Sequence, residues 1–138
     1  MVEENAEVGA RPIWAGLRAF NESKIGPYSV VPTTLTARGE DGELLGGISG
    51  RITGGENFGW LGIDLLWVSE GARGCGLGSQ LLLALEDRAR EGGAWRAYVD
   101  TLGFQAEPFY SKHGYMEEGR IRDFALGFDR IYMVKRRL

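Results

Sequence analysis

Arg73, Gly74, Gly76 and Gly78 crowd into the stretch GARGCGLGSQLLLALEDRARE, residues 71–91, where a glycine-rich run passes straight into a leucine-rich helix. Glycine costs backbone entropy where a helix has to start, so the run must serve something other than order. A helix N-terminus carries unpaired N–H groups and a partial positive charge, and both attract phosphate. Glycines clear side chains from the approach and let successive N–H groups converge. Arg73 adds a fixed positive charge at the rim. A plain turn from strand to helix needs only one glycine, so RGCGLGS reads as a loop that holds a phosphate or pyrophosphate.

The loop lacks the lysine of a Walker A motif. From Gly74 it reads GxGxG, and Ser79 stands where a dinucleotide fingerprint has its third glycine or alanine. Asp100 closes the next strand, roughly where a ribose-binding acid sits, so a nucleotide-binding oxidoreductase is the alternative enzyme. Against it, the loop follows three antiparallel strands, and the chain has a single strand–helix–strand unit. Cys75 sits inside the loop at the helix start. A cysteine nucleophile needs a histidine, and His113 is the only one, which makes covalent catalysis the weaker reading. Asp64 lies within LGIDLLWV, where an acid is costly to bury without a partner or a purpose.

These groups need elements to hold them. Ile13, Leu17 and Phe20 fall at helical spacing ahead of the Gly26-Pro27 break. SVVPTTLTAR, ELLGGISGRIT and FGWLGIDLLWV read as three antiparallel strands, with Pro32 near a strand start or at an edge and Asp41-Gly42 as a hairpin turn. In the third, Ile63, Leu65 and Trp67 are expected on one face, and Asp64, Leu66 and Val68 on the other. After the loop, Leu77, Leu81, Leu85 and Ala89, with Leu82, form one buried stripe. Glu86, Asp87, Arg90 and Glu91 are read as its solvated side, and Gly92-Gly93 ends the helix. AWRAYVDT is a strand and QAEPFYSKH a short helix, with Pro108 in its first turn. GYMEEGRI is a strand, RDFALGFD a loop and RIYMVKRR the last strand. Trp60, Trp67, Tyr98 and Tyr115 are read as packing residues. The result is an α+β fold, a mixed and mostly antiparallel central sheet flanked by helices, with one parallel strand–helix–strand unit over residues 58–101.

This arrangement resembles the GNAT superfamily of acyl-coenzyme A-dependent N-acyltransferases over residues 30–137. That family's pyrophosphate loop reads [RQ]-x-x-G-x-[GA] between a strand and a long helix, and Arg73, Gly76 and Gly78 occupy those places. PFYSKHGY, with Phe109, Tyr110, Gly114 and Tyr115, is similar to its second signature. One departure stands out: the family often carries an Asn seven residues before the Tyr. That place is Gly103, and Gln105 is the nearest amide.

The resemblance implies acetyl transfer from acetyl coenzyme A directly to an amine, with no acyl-enzyme. It implies that strands 58–68 and 95–101 splay apart past the loop and admit the pantetheine arm. The arm would pair with exposed backbone like an added strand, along Leu66, Trp67 and Val68, with the Val68 N–H polarising the thioester carbonyl. The cofactor-binding set is completed by Arg73, Gly74, Cys75, Gly76, Leu77, Gly78, Ser79, Gln105, Phe109 and Tyr110. Tyr110 is the expected general acid for the departing thiolate, since a thiol near pKa ~8.5 and a phenol near ~10 are close enough for the transfer. Asp64 is the candidate base for the amine, directly or through water, with Asp100 and Glu107 weaker. A non-catalytic acyl-coenzyme A sensor remains open. The resemblance also makes a homodimer plausible.

Bulk properties bound the rest. A chain of 138 residues suggests one domain spanning 1–138. A net charge of -3 gives no electrostatic reason to expect nucleic acid. A single cysteine excludes an intramolecular disulfide and offers no zinc spacing, so no metal is expected. No apolar run reaches the length of a membrane span. MVEENAEVGA is acidic and lacks the apolar core of a signal peptide, which favours a cytoplasmic protein. The acids Glu3, Glu4 and Glu7 and the bases Lys135, Arg136 and Arg137 read as solvated termini. The acceptor is a small-molecule or peptide amine that the sequence does not name.

Overall fold

The computed structural model describes residues 2, 4, 7–104 and 106–138, and its elements follow the expected order. Helix α1 (Arg11–Ile25) leads into a meander of β1 (Ser29–Arg38), β2 (Leu44–Gly54) and β3 (Trp60–Val68). A 3-10 turn at Glu70–Ala72 precedes α2 (Leu77–Glu91). Then come β4 (Arg96–Leu102), α3 (Glu107–Lys112), β5 (Met116–Ala125) and β6 (Phe128–Lys135). The strands form one six-stranded sheet in the order β1-β2-β3-β4-β6-β5. Among the described residues only the β3/β4 pair is parallel, with α2 as its crossover. Pro32 lies on the edge strand β1, where its missing N–H breaks no inner ladder.

Gly46, Gly50 and Gly54 turn the same face of β2 toward α2, and they set how closely the helix lies. A Cβ on Gly50 would stand 2.7 Å from the carbonyl oxygen of Gly62 and 3.4 Å from Leu85. One on Gly54 would stand 2.5 Å from the carbonyl oxygen of Gly92, just past the helix end. Side chains there would lift α2 from the sheet. Against this surface Leu81, Leu82, Leu85 and Ala89 are buried with Ile48, Ile52, Leu61 and Ile63. Each such leucine contributes about 1.5–3 kcal/mol on burial.

Several expectations are corrected. Glu86 is not on the solvated side of α2: it is buried, ion-paired to Lys135 and hydrogen-bonded by Tyr115. Lys135 is therefore no solvated terminal base. The stretch 122–129 is not a plain loop, because β5 runs on to Ala125 and β6 begins at Phe128. Asp123 and Leu126, each at φ 49, bend that hairpin. Of the aromatic residues expected to pack in core and sheet, Tyr115 is buried and Tyr98 packs edge-on against Trp60 on the sheet, centroids 5.6 Å apart, whereas Trp67 lies exposed. α1 forms as expected, yet none of its residues is buried. It is attached by polar contacts, Arg18 donating to the Tyr28 carbonyl and Asn57 to that of Ile25.

The face assignment of β3 also changes. Gly50 pairs with Ile63 and Ser49 with Leu65, so Asp64 is an extra residue in the ladder. Such a bulge resets the alternation of side chains. Ile63 thus shares the α2 side with Leu66 and Val68, which pack on the core. Asp64, Leu65 and Trp67 lie on the opposite, open side, all exposed. A strict period of two misses one inserted residue.

Candidate functional site

The glycine-rich loop leaves β3 at Val68 and turns through the 3-10 segment. Gly74 at φ 81 and Gly76 at φ 85 occupy the left-handed region, which L side chains rarely adopt. Among the described residues, the N–H groups of residues 74–79 have no hydrogen-bond acceptor; the next amide, that of Gln80, bonds to the Gly76 carbonyl at 3.0 Å. These free amides lie at the positive end of α2. They border a cleft of about 310 Å³ lined by Val68, Arg73, Gly76, Ser79, Phe109 and Lys112, among others. A Cβ on Gly76 would meet nothing within 4 Å, so its missing side chain leaves the cleft clear. Lys112 adds a second positive charge that the local motif did not signal, since it comes from α3.

Arg73 also braces the strand end: its Nε donates to the Val68 carbonyl at 3.0 Å. The Cys75 thiol lies 2.9 Å from the Ala72 carbonyl oxygen, with no histidine beside it. His113 instead bonds to Ser79, Nε2 to Oγ at 2.9 Å, tying α3 to the start of α2. Phe109 approaches the same turn, 3.5 Å from where a Gly78 Cβ would stand.

Beyond the loop the parallel strands part. β3 and β4 pair from Trp60/Arg96 to Ile63/Val99 and no further, as the splay expected from the family resemblance requires. Ser69 N–H bonds to the Leu45 carbonyl at 2.8 Å, on the β2 side. By the alternation of a strand, the main-chain groups of Leu66 and Val68 point the other way, into the gap. The gap holds a cleft of about 150 Å³ lined by residues from both faces of the sheet. Tyr110, Ala106 and Thr101 line it from the helix side, and Asp64, Leu65 and Asp100 from the open side.

Tyr110 is 3% exposed, and its hydroxyl has no hydrogen-bond partner among the described residues. Its ring packs edge-on against Phe109 and Tyr115, with centroids 5.2 Å and 5.5 Å away. Burial first, and then the nearby Asp100 carboxylate, push its hydroxyl up to about 12. Tyr110 is therefore neutral, proton-bearing and aimed into the gap.

The structure places two carboxylates at the gap, each held by an arginine that sequence reading did not link to it. Arg51 grips both oxygens of Asp64, Nη2 to Oδ1 at 2.8 Å and Nε to Oδ2 at 3.2 Å. Arg130 approaches Asp100 only at Oδ2, from Nε at 2.7 Å and Nη2 at 2.5 Å. Such cross-strand partners depend on register, which no local motif reports. Gln105 lies outside the described residues. Glu107 opens α3 and lies 4.0 Å from Arg120, a charge at a helix start. Among the described residues no group of three or more His, Cys, Asp or Glu could hold a metal ion. No helix among them is long and apolar enough to cross a membrane.

Known proteins share these features. A family model described as "Acetyltransferase (GNAT) family" matches residues 10–115. A blasticidin-S acetyltransferase from Streptomyces morookaense is 45% identical over 90% of this chain and 88% of its own. An acetyltransferase from Agrobacterium fabrum is 31% identical over 87% of this chain and 85% of its own. The crystal structure of an acetyltransferase from Bacillus cereus superposes with a TM-score of 0.81 at 34% identity, covering 100% of this chain and 97% of that one.

Proposed function

The chain belongs to the GNAT acetyltransferase family, and from that premise we propose that it N-acetylates blasticidin S or a closely similar amine. It is an acetyl-coenzyme A-dependent acetyltransferase; what the proposal adds is the acceptor and the residues that act. A nucleotide-binding oxidoreductase is not favoured, because the sheet has one parallel pair and not a series of them.

Acetyl coenzyme A, when bound, supplies an activated acetyl thioester. The free amides of residues 74–79 would hold its diphosphate, with Arg73 and Lys112 neutralising charge at the rim. The gap-facing backbone of Leu66 and Val68 would pair with its arm, while Trp67 is committed to β2 opposite Gly47. The Val68 N–H would polarise the thioester carbonyl. Tyr110 keeps its proton through the neutral range and would deliver it to the sulfur that departs. A carboxylate at the gap would take a proton from the amine. Residues 1–138 would work as one acyltransferase domain.

The acceptor proposal is carried by the 45% identity to the blasticidin-S acetyltransferase, which runs through nearly the full length of both chains. The test is incubation of the purified protein with acetyl coenzyme A and blasticidin S. Stoichiometric thiol release and a gain of one acetyl group on blasticidin S are expected. No acetylated product at saturating acetyl coenzyme A removes blasticidin S as the acceptor.

A further inference from the structure

We propose that Asp100, and not Asp64, receives the acceptor's ammonium group, through its Oδ1 oxygen on the open side of the β3/β4 gap. The inference rests on the acetyltransferase reading above and adds which carboxylate meets the amine.

The difference lies in how the two arginines hold their partners. Arg51 occupies both oxygens of Asp64. Arg130 places two nitrogens on one oxygen of Asp100, Oδ2, and leaves Oδ1 without a partner among the described residues. Arg130 is itself fixed, its guanidinium carbon 5.0 Å from the Phe124 ring centroid and 5.9 Å from that of Tyr132. Asp100 pairs with Tyr132 across the β4/β6 ladder, and Arg130 is the next residue along on the same face. A carboxylate clamped at one oxygen presents the other in a set direction.

Position agrees. Asp100 is the first residue of β4 past the last β3 pair, Ile63/Val99, so it stands where the gap opens. Tyr110, whose hydroxyl has no hydrogen-bond partner among the described residues, lines the same cleft from the helix side. The amine would therefore enter from the open side, while the thiolate receives its proton from the helix side. The charged or titratable groups around Asp100 are Arg130 and Tyr132 on β6, Tyr98 on its own strand, Tyr110 on α3 and Asp64 on β3.

The proton account closes. An ammonium nitrogen has its lone pair tied up in an N–H bond. One proton passes to Oδ1, and the freed pair forms the C–N bond as the C–S bond breaks with its electrons on sulfur. Sulfur takes the Tyr110 proton. The second proton leaving nitrogen restores Tyr110 through water, and Asp100 releases its own to solvent.

The experiment compares wild type with Asp100→Asn, Asp64→Asn and Asp100→Glu, using blasticidin S as the amine. Asp100→Asn is expected to lose about 100-fold or more in kcat/KM, and the acid limb of its pH profile should move toward the amine's own pKa. Asp100→Glu should recover part of the rate. Blasticidin S binding, followed by calorimetry without acetyl coenzyme A, should weaken in Asp100→Asn. Melting temperature and acetyl-coenzyme A affinity should hold, which separates the effect from misfolding. Asp64→Asn should stay within about 3-fold of wild type. Wild-type acetylation that survives Asp100→Asn, or that falls as far in Asp64→Asn, overturns the inference alone. A wild type that neither binds nor acetylates blasticidin S overturns the acceptor reading, and the inference with it.

Discussion

Lys135 places its ammonium 2.9 Å from Oε2 and 3.0 Å from Oε1 of Glu86, a residue 1% exposed in the middle of α2. Tyr115 donates its hydroxyl to the same Oε1 at 2.9 Å. A helix, the last strand and the residue before β5 thus share one buried charge. Deleting the cation leaves a carboxylate without its counter-ion, at a cost of about 3–5 kcal/mol. Lys135→Met is expected to lower the melting temperature by roughly 10 °C or more. Adding Glu86→Leu should restore most of it, since an apolar pair of similar volume removes the stranded charge. Scanning calorimetry on the single and double variants decides; a Lys135→Met protein that melts with wild type would mean the pair contributes nothing.

The same pair shows where reading the sequence runs out. The stripe from Leu77 to Ala89 is legible because a helix repeats its face within a few residues. Glu86 follows Leu85 directly, at the margin of that stripe, and looks like any solvated acid until Lys135 arrives from 49 residues away. Asp64 fails for a related reason: a bulge is one residue out of step, and only the partner strand reveals it. The geometry of the glycine-rich loop was legible because charge, glycines and helix start lie in one short run. The two arginines at the gap were not, because Arg51 meets Asp64 across β2/β3, and Arg130 meets Asp100 across β4/β6.

Gly76 tests the loop. It caps α2 at φ 85, where an L residue is strained by about 1–2 kcal/mol, and its missing side chain faces the cleft. Gly76→Val is expected to weaken acetyl-coenzyme A binding about 10-fold or more by titration calorimetry. Gly71→Ala is the control: a Cβ there meets nothing within 4 Å and its φ lies outside the left-handed region. Equal affinities for the two variants would place the diphosphate elsewhere.

His113 gives the fold an acid-side pH dependence. Burial first, and then Lys112, hold its imidazole below the ordinary value, with Lys135 adding to this and Glu86 opposing it. The folded chain therefore binds this proton less readily than the unfolded one. Stability from His113 is fully present above about pH 6.5, the unfolded value, and is lost as pH falls through the folded one. His113→Asn should show a smaller drop in melting temperature between neutral and mildly acid buffer than wild type. An unchanged drop would assign the slope to other groups.

The proposed general acid, Tyr110, also carries a pH dependence of stability in its hydroxyl. Its ionisation is raised from about 10 in the unfolded chain to about 12 in the fold. The folded state thus keeps a proton that the unfolded state gives up. Stability is full below pH ~10 and declines as pH rises through about 12. Phenolate absorbance should show this hydroxyl titrating late, together with alkaline unfolding, and Tyr110→Phe should flatten that part of the curve. The same variant would remove the proton proposed for the thiolate. Turnover is expected to fall about 10- to 100-fold, with acetyl-coenzyme A affinity within about 3-fold. A Phe variant with wild-type turnover would leave Tyr110 as packing between Phe109 and Tyr115, and the thiolate would then draw its proton from water in the gap.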